Sequence, residues 1–473
     1  MTSVRVAARA APLLLLPLLR LRVQVLACVV LAAASLLWSV ELEYDPWSWL
    51  VWGREAARLS LATAGGPAWK PLPVALDAML VPFGAAAPLL WSVLVRTAGL
   101  LMLVAAGRLA ALLARPRPLA AGLAVLGTAL SAQLLFGLVP LGYSEPMLGA
   151  LLLLAGEALV RRRPGALFGL LLAASLLRPE AWLLLAAAGG WLVRCRPRTL
   201  PLVLASLVGL VLAWFLPDYL SSGDWARSTR RAADPTEGGV LLTSHPAVAV
   251  LGRALRTPAP PWMAAFVVTC LLLLRRNEAL THRRALAVVA LATAGWAVAV
   301  ACIVGLGGSS GETRYLIGWT SGVPVVGAAG AAAGLGALLR RRGALARRRL
   351  LASGALACLA ALAIALSVPR LAGLDRDLAS TREHSSEYRA LYETVRLAGG
   401  ARAVAACGPV GVEAHHVPVL AWLLHRHLYQ VSSSSVSPGT DFVLDTGGRR
   451  EPAPPPGPPV ASAPPWSVWR TCR

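Results

Sequence analysis

The chain has 473 residues, of which 57% are hydrophobic and 14% charged, and its mean hydropathy is +0.64. A water-soluble core cannot hold so many apolar residues in repeated helix-length runs, so the composition excludes a soluble globular protein and predicts a polytopic α-helical membrane protein. The net charge of +22 would suit a nucleic-acid partner, but its placement argues against one.

Long apolar runs alternate with short arginine clusters along the chain. The runs lie near 21–40, 88–107, 119–138, 147–160, 166–177, 181–193, 199–216, 262–274, 285–306, 316–338 and 350–367. The clusters are Arg115/Arg117, Arg161/Arg162/Arg163, Arg194/Arg196/Arg198, Arg275/Arg276 with Arg283/Arg284, and Arg340/Arg341/Arg342 with Arg347/Arg348/Arg349. Placing every cluster in the cytoplasm by the positive-inside rule gives about 11 transmembrane helices, a cytoplasmic N-terminus and an extracytoplasmic C-terminal domain.

The acidic residues test this topology, because they were not used to build it. Of the 23 Asp and Glu residues, only Glu157 and Glu278 fall on the cytoplasmic side. The positive charge is therefore an orientation signal in a multi-pass plasma-membrane protein, and no nucleic-acid partner is expected. The first run follows Arg20 and Arg22 without a small-residue cleavage site, so we expect an uncleaved anchor rather than a signal peptide.

The first long outer loop, predicted over 41–84, carries the densest set of candidate functional residues. It contains "DPWSWLVWGRE" (45–55) and "GGPAWKPLP" (65–73), and the second motif holds Lys70, the one lysine of the sequence. Trp47, Trp49 and Trp52 fit an interfacial belt or, alternatively, a surface that stacks on sugars. A third outer loop is predicted over 218–261.

A second unusual feature is the "RPE" turn at 178–180, between two spans too short to cross a membrane. Twelve or thirteen helical residues reach roughly 18–20 Å, against a hydrocarbon core of about 30 Å. Arg178 and Glu180 are therefore expected below the outer surface. Charged side chains at that depth indicate a polar cavity open to the outside, or else a buried structural ion pair.

This layout resembles the GT-C superfamily of integral-membrane glycosyltransferases, which use polyprenyl-phosphate-linked sugars. The shared features are many spans, a long first outer loop with an acidic residue just after the first span, and a C-terminal outer domain. The motifs "DPWSWLVWGRE" and "GGPAWKPLP" also resemble an uncharacterised bacterial branch of such proteins. The resemblance implies a GT-C-like transmembrane domain (1–367), a small α/β extracytoplasmic domain (368–450) and a Pro-rich tail (451–473).

The resemblance also implies roles for individual residues. Asp45 would be the general base that takes the proton of an acceptor hydroxyl; the alternative is an N-cap of the helix beginning at Pro46. Lys70, Arg314 and Arg178 would bind the donor phosphate, whose negative charge grows as it leaves. Alternatively, Lys70 is a chance survivor in an arginine-rich composition, and Arg314 is an interfacial arginine. The further residues expected along the cavity or at the acceptor are Glu145, Glu180, Trp47 and Tyr315.

The C-terminal domain is predicted to contain a helix at 372–397, a strand at 402–406, a second helix at 417–428 and a strand at "DFVLDT" (441–446). Cys407 and Cys472 are the two cysteines expected in this domain, and we predict a disulfide between them as readily as two separate thiols. Its four clustered histidines match no standard ligand spacing, so solvated helix faces are expected and no metal site is predicted. No cofactor is expected firmly, although a divalent cation near Glu145 is possible.

Three functions remain open from the sequence. The first is a glycosyltransferase of EC class 2.4, which moves a sugar from a polyprenyl-phosphate carrier to an envelope glycan or lipid acceptor. The second is a transporter or flippase of a lipid-linked envelope precursor, although no repeated halves with matching broken helices are visible. The third is a non-enzymatic scaffold, which a structure with Asp45 and Lys70 far from Arg314 would favour.

Overall fold

The computed structural model describes residues 20–38, 40–131, 137–235, 239–275, 280, 282–340 and 346–472. Parts of the predicted arginine clusters (Arg276, Arg341 and Arg342) and the ends of the predicted domains (1–19 and 473) lie outside these residues.

Most of the described chain is helical. In chain order the α-helices are α1 (Leu21–Ala34), α2 (Tyr44–Ala57), α3 (Pro71–Leu80), α4 (Ala87–Leu113), α5 (Arg117–Ser131), α6 (Glu145–Val160), α7 (Pro164–Ser175), α8 (Trp182–Cys195), α9 (Leu200–Ser222), α10 (Arg227–Ala232), α11 (Pro246–Arg256), α12 (Pro260–Leu274), α13 (Arg283–Gly305), α14 (Ile317–Arg340), α15 (Ala346–Leu397), α16 (Gly400–Ala406) and α17 (Val417–Leu423). Short 3₁₀ turns join several of them, including Pro179–Ala181 and Thr313–Leu316.

Proline begins many of these helices. α3, α6, α7, α11 and α12 all have proline in the first turn. A first-turn proline gives up only an amide that has no partner within the helix, and its fixed φ already suits the helix. At the other end of α9, Gly223 takes a positive φ of 71° and ends the helix in a left-handed cap. The sequence therefore indicates where helices begin and end more clearly than it indicates which helices cross the membrane.

Fewer helices than predicted are long enough to span a membrane by themselves. Within the described residues four helical stretches meet the length and hydropathy needed: Pro71–Leu113, Pro197–Ser222, Arg283–Gly305 and Thr313–Ala337. A fifth results if α11 and α12, bent by 104° to each other, count as one broken span. Other predicted spans are shorter apolar helices, such as Arg117–Ser131 and Pro164–Ser175. The chain is thus a multi-pass membrane protein, and the number 11 stays a prediction.

Helix α4 lies at the centre of the helical bundle. It packs against α1, α5, α6 and α14, while α12 and α13 pack against α14. Beside this bundle, α2 and α3 pack on each other so closely that a Cβ at Gly53 would lie 2.6 Å from Asp77 Cβ. Trp49, Trp52 and Trp91 are fully buried in this core. The first long loop is therefore a folded part of the core.

The C-terminal domain is built on a mixed sheet. Its strands are β1 (Val410–Val412), β2 (Val431–Ser432), β3 (Thr440–Thr446), β4 (Arg449–Glu451), β5 (Ala461–Ala463) and β6 (Trp466–Arg470). The strand order is β2-β1-β3-β6-β5, and β4 pairs with β3. β1 is parallel to β2 and β3, whereas β3 is antiparallel to β4 and β6.

Several predictions for this domain are corrected by the structure, while the strand predicted at "DFVLDT" is present as part of β3. Residues 402–406 lie in helix α16, because the alanine-rich run favours a helix over a strand. The helix predicted at 417–428 ends at Leu423.

The predicted domain limits also differ from the structure. The Pro-rich tail predicted from 451 contributes β5 and β6 to the sheet, so the sheet continues past residue 450. Helix α15 runs without a break from 346 to 397, so the predicted domain boundary at 367 falls inside one helix.

Candidate active site between the first loop and the helix ends

Asp45 lies in the first turn of α2, where the chain enters the first long loop. The residue at the N-cap position is Glu43, and no side chain caps the helix. Asp45 Oδ2 instead lies 3.1 Å from Arg314 Nη1, and both side chains are largely buried. The alternative of an N-cap therefore does not describe Asp45, whose carboxylate is directed at the predicted phosphate-binding arginine.

Lys70 stands at the N-cap position of α3 in an extended backbone conformation, which proline at the next position favours. Its Nζ lies 3.2 Å from Glu145 Oε1 and 3.3 Å from Ser144 Oγ, and 4.9 Å from the centre of the Trp49 ring. The Glu145 side chain is fully buried at the start of α6. The lysine and the "GYSEP" carboxylate, 75 residues apart, thus form one buried ion pair.

Arg178 lies in the break between the short helices α7 (12 residues) and α8 (14 residues). Its guanidinium donates two hydrogen bonds to the Glu180 carboxylate, at 3.2 and 2.7 Å. It also lies 3.9 Å from Glu145 Oε1 and stacks 3.5 Å from the centre of the Tyr315 ring. The sequence left two alternatives for Arg178, a structural ion pair or a residue of a polar cavity. The ion pair with Glu180 is present, and Arg178 also lies beside Glu145, the partner of Lys70.

Arg314 is held in the 3₁₀ turn before α14. Its Nε lies 2.6 Å from Glu312 Oε2, and its guanidinium lies 4.3 Å from the centre of the Tyr143 ring. Although Asp45 and Glu312 are within ion-pair distance, neither Nε nor Nη1 makes an aligned hydrogen bond with any described residue. Arg314 is therefore a buried guanidinium with donor capacity to spare. Tyr143 is a site residue that the sequence analysis missed; its position in "GYSEP" beside Glu145 was the available signal.

The predicted site residues thus converge from four distant segments of the chain. Lys70 is within electrostatic range of Asp45, Glu145, Arg178 and Arg314 at once. The carboxylates of Asp45, Glu145 and Glu180 balance the three cations Lys70, Arg178 and Arg314, which limits the cost of burying them. An ammonium has three N–H donors, and Lys70 uses two of them, so an oxyanion placed between Lys70 and Arg314 would find free donors on both.

An apolar cavity of about 350 Å³ lies among α6, α7, α8, α13 and α14. Leu152, Leu171, Trp191 and Trp296 are among its lining residues. The indole of Trp296 donates a 2.9 Å hydrogen bond to the carbonyl of Tyr315, the residue on which Arg178 stacks. The contact between Trp296 and Tyr315 therefore links the cavity to the charged cluster, which consists of Asp45, Lys70, Glu145, Arg178 and Arg314.

The tryptophans of the first loop are in the protein interior. Trp47, Trp49 and Trp52 are all at least 96% buried, so an interfacial belt does not describe them. Trp47 packs against Trp422 of the C-terminal domain, with ring centres 6.2 Å apart. Trp47 was predicted at the cavity or acceptor, and the structure places it at the contact between α2 and that domain.

Arg54 strengthens this contact. Its guanidinium donates hydrogen bonds to the carbonyls of Trp422, Ala421 and Arg426, at 3.1, 3.4 and 2.7 Å, around the end of α17. Carbonyls at a helix end have no partner within the helix and carry partial negative charge, so a cation there is favourable. The first loop and the C-terminal domain are therefore held together next to the charged cluster.

The prediction of solvated histidines is wrong for one of the four. His416 is only 3% exposed; its Nδ1 lies 2.8 Å from Glu413 and its Nε2 2.7 Å from Glu387 on α15. Burial alone would lower the pKa of His416, but hydrogen bonds and attraction from these two carboxylates outweigh it and raise the pKa above the ordinary 6.5. Within the described ranges, no three His, Cys, Asp or Glu side chains are arranged to hold a metal ion. The predicted Cys407–Cys472 pair is present as a disulfide.

Comparisons with known proteins bear on the fold. No protein-family model matches the chain, and no curated protein matches it. Among solved structures, it matches the crystal structure of ArnT from Cupriavidus metallidurans bound to undecaprenyl phosphate, with a TM-score of 0.54 and 12% sequence identity. The match covers 94% of this chain and 97% of that one. The chain therefore shares its overall fold with that ArnT structure.

Proposed function

We propose that the protein is a glycosyltransferase that moves a sugar from a polyprenyl-phosphate carrier to an extracytoplasmic cell-envelope acceptor. The observation that carries the proposal is the meeting of Asp45, Lys70, Arg178 and Arg314 beside an apolar cavity. A phosphate-linked lipid needs fixed cations next to an apolar groove, and the transfer needs a carboxylate near those cations.

Lys70 and Arg314 are the proposed contacts for the donor phosphate. The bond between the sugar's anomeric carbon and the phosphate oxygen breaks during transfer, so negative charge grows on that oxygen. Arg314 has unaligned donors, and Lys70 has one donor unused. Arg178 lies beside Glu145, the partner of Lys70, and stacks on Tyr315, the residue after Arg314. It therefore either contacts the phosphate itself or holds in place the two groups that do.

Asp45 is the proposed general base. The acceptor hydroxyl attacks the anomeric carbon, its proton passes to the Asp45 carboxylate, and the polyprenyl phosphate leaves. The position of Asp45 supports this role, because its Oδ2 lies 3.1 Å from Arg314 Nη1 and a carboxylate there is next to the proposed donor phosphate contact. The same pair links the base to the phosphate, so both reacting parts of the substrates would meet within one cluster.

The apolar cavity is the proposed site for the first part of the lipid chain. It lies among α6, α7, α8, α13 and α14, and Trp296 connects it to the Tyr315 segment of the charged cluster. The matched ArnT structure was determined with undecaprenyl phosphate bound, which supports a polyprenyl phosphate as the class of donor lipid. The arginine distribution supports an extracytoplasmic site, because the cluster lies at the helix ends away from the arginine-rich connections.

A transfer assay in proteoliposomes tests the proposal. The wild-type protein is supplied with a panel of radiolabelled polyprenyl-phosphate sugars and a crude envelope acceptor, and the labelled product is measured. Product formed by wild type and lost in a folded Asp45→Asn variant supports the transferase. Movement of the labelled lipid across the bilayer without any product would contradict it and favour the flippase. The separation of Asp45 and Lys70 from Arg314 that would favour a scaffold is not present, since Asp45 lies 3.1 Å from Arg314.

A further inference from the structure

A second cavity, which the proposed donor site does not use, lies between the first loop and the C-terminal domain. Its volume is about 380 Å³, and four separate parts of the chain line it, one of them the β3–β4 hairpin with Leu444, Thr446 and Glu451. Glu43 comes from the start of α2, His384 and Glu387 from α15, and Glu413 and His416 from the segment after β1. A cavity of this size accommodates a small ligand or the end of a larger one.

This cavity adjoins the proposed base. Glu43 is two residues before Asp45, and the intervening Tyr44 ring contacts the His415 ring, with centres 6.2 Å apart. Tyr143, against which Arg314 stacks, is within electrostatic range of both Glu43 and Asp45. A ligand in the cavity would therefore approach Asp45 from the side of the C-terminal domain, while the apolar cavity approaches the cluster from the membrane helices.

The charge of the cavity is opposite to that of the donor phosphate contacts. Its lining, as far as the structure describes it, contains the carboxylates of Glu43, Glu387, Glu413 and Glu451 and no lysine or arginine. Arg449 on β4 pairs with Glu451 from outside the lining, at 2.6 Å. The carboxylates still outnumber the positive groups when His416 is protonated. Carboxylates accept hydrogen bonds from sugar hydroxyls and amines but repel phosphates and acidic sugars.

We propose that this cavity holds the acceptor and selects a glycan end that bears no negative charge. The proposal rests on the proposed transferase function, since it assigns the second substrate of the same site. The donor's phosphate is attracted to Lys70 and Arg314 and repelled by the carboxylates here, so the two substrates are sorted by charge. The imidazoles of His384 and His416 both pack against the Tyr388 ring, with centres 4.4 and 4.8 Å away, and the three rings form one wall of the cavity.

The test is direct glycan binding by the full-length protein in detergent. The probes are arrayed oligosaccharides of common backbone in neutral, amine-bearing and phosphorylated forms. We expect neutral or amine-bearing glycans to bind at least about tenfold more tightly than their phosphorylated forms. Glu43→Gln should weaken that binding, whereas the matched control Glu393→Gln, an exposed glutamate on α15 paired with Arg396, should not. Because Glu451 is at the exposed rim, Glu451→Lys should fold and should raise binding of the phosphorylated forms.

Preferential binding of phosphorylated glycans, equal binding by wild type and Glu43→Gln, or no glycan binding at all would overturn the acceptor assignment. Binding of undecaprenyl phosphate, followed by native mass spectrometry, separates this failure from that of the proposed function. If the lipid binds but no glycan does, the acceptor cavity is wrong and the donor site stands. If the lipid does not bind and no sugar is transferred, the transferase itself is wrong.

Discussion

The ammonium of Lys70 lies 3.2 Å from the carboxylate of Glu145, and both side chains are shielded from solvent. Trp49 covers the ammonium from one side, and the Ser144 hydroxyl occupies a second donor. A guanidinium is larger and planar, and it would have to fit its fork into a space that now holds a single nitrogen. The geometry therefore gives a physical reason for a lysine in a chain that otherwise uses arginine.

We expect Lys70→Arg to fold but to transfer sugar about 100-fold more slowly, because the displaced charge no longer meets the donor oxygen. Thermal unfolding in detergent checks folding, and initial rates in the proteoliposome assay check activity. Full activity in Lys70→Arg would mean that the lysine is an accident of composition.

The pair also allows the structural and chemical roles of Lys70 to be separated. Lys70→Met removes the cation nearest to Glu145 and leaves this buried carboxylate with Arg178 at 3.9 Å, so we expect a loss of about 3 kcal/mol in stability. The double variant Lys70→Met/Glu145→Gln removes both charges and should recover most of that loss, while transfer stays absent. Recovery of transfer together with stability would show that Lys70 only neutralises Glu145.

Asp45→Asn tests the base. The amide keeps the shape of the carboxylate and its contact with Arg314, but it cannot take a proton. We expect transfer to fall by about 10²- to 10⁴-fold while undecaprenyl phosphate still binds. Asp234→Asn, an exposed aspartate paired with Arg231, is the matched control and should retain full activity. A similar loss of lipid binding in Asp45→Asn would instead assign Asp45 to holding Arg314.

Sequence patterns identified the residues of the charged cluster better than they identified the contacts between those residues. Arg178 was conspicuous as a charged residue between two short apolar runs, Lys70 as the one lysine of the sequence, and Asp45 through the resemblance to GT-C proteins. Their pairing could not be read from the sequence, since each partner lies on a different element. Two short helices around "RPE" were predictable from run length, whereas the number of spans was not, because bent and broken helices divide the apolar runs.

The C-terminal domain was harder to predict than the helical bundle. Proline-rich sequence at 451–465 suggested a tether, but the strands that follow pair with β3 through Trp466 and Val468, whose burial only the fold reveals. The burial of His416 was equally hidden: Glu413 is three residues before it, but its second carboxylate partner, Glu387 on α15, is 29 residues away. Long-range pairings of this kind depend on tertiary packing rather than on local pattern.

Arg54 provides a test of how the C-terminal domain is held over the site. Lysine keeps the charge but cannot reach three carbonyls around the end of α17, so Arg54→Lys should weaken the contact by about 2 kcal/mol. Faster hydrogen exchange in 417–430, with unchanged exchange in α4, would show this. Arg58→Lys, an exposed arginine four residues along the chain, is the control. Unaltered exchange in Arg54→Lys would contradict a role in docking.

The disulfide between Cys407 and Cys472 ties the end of α16 to the chain beyond β6, across 65 residues. Closing a loop of that length restricts the unfolded chain, and we expect Cys407→Ser/Cys472→Ser to lose about 4 kcal/mol of C-terminal domain stability. A lower unfolding midpoint after reduction of wild type, but not of the double variant, would check this by thermal unfolding. The control is Cys195→Ser, which removes an exposed free thiol and should leave the midpoint unchanged.

The buried His416–Glu413 pair predicts how stability of the C-terminal domain depends on pH. The pKa of His416 is raised above 6.5, so its contribution is complete below pH 6.5 and is lost as pH rises through the raised value. Burial would raise the pKa of Glu413, but the hydrogen bond and charge of His416 lower it below 4.5. Its contribution is complete above pH 4.5 and is lost as pH falls through the lowered value. Together they are greatest between about pH 4.5 and 6.5.

Fluorescence-detected unfolding across pH checks this, because the Trp466 ring lies 4.8 Å from the His416 ring. We expect His416→Gln to lower the midpoint near pH 6 and to flatten the loss of stability at higher pH. Glu387 also faces His416, so Glu387→Gln should bring the alkaline loss to a lower pH while leaving the acid limb in place. An alkaline limb of equal size in wild type and His416→Gln would show that another group titrates there.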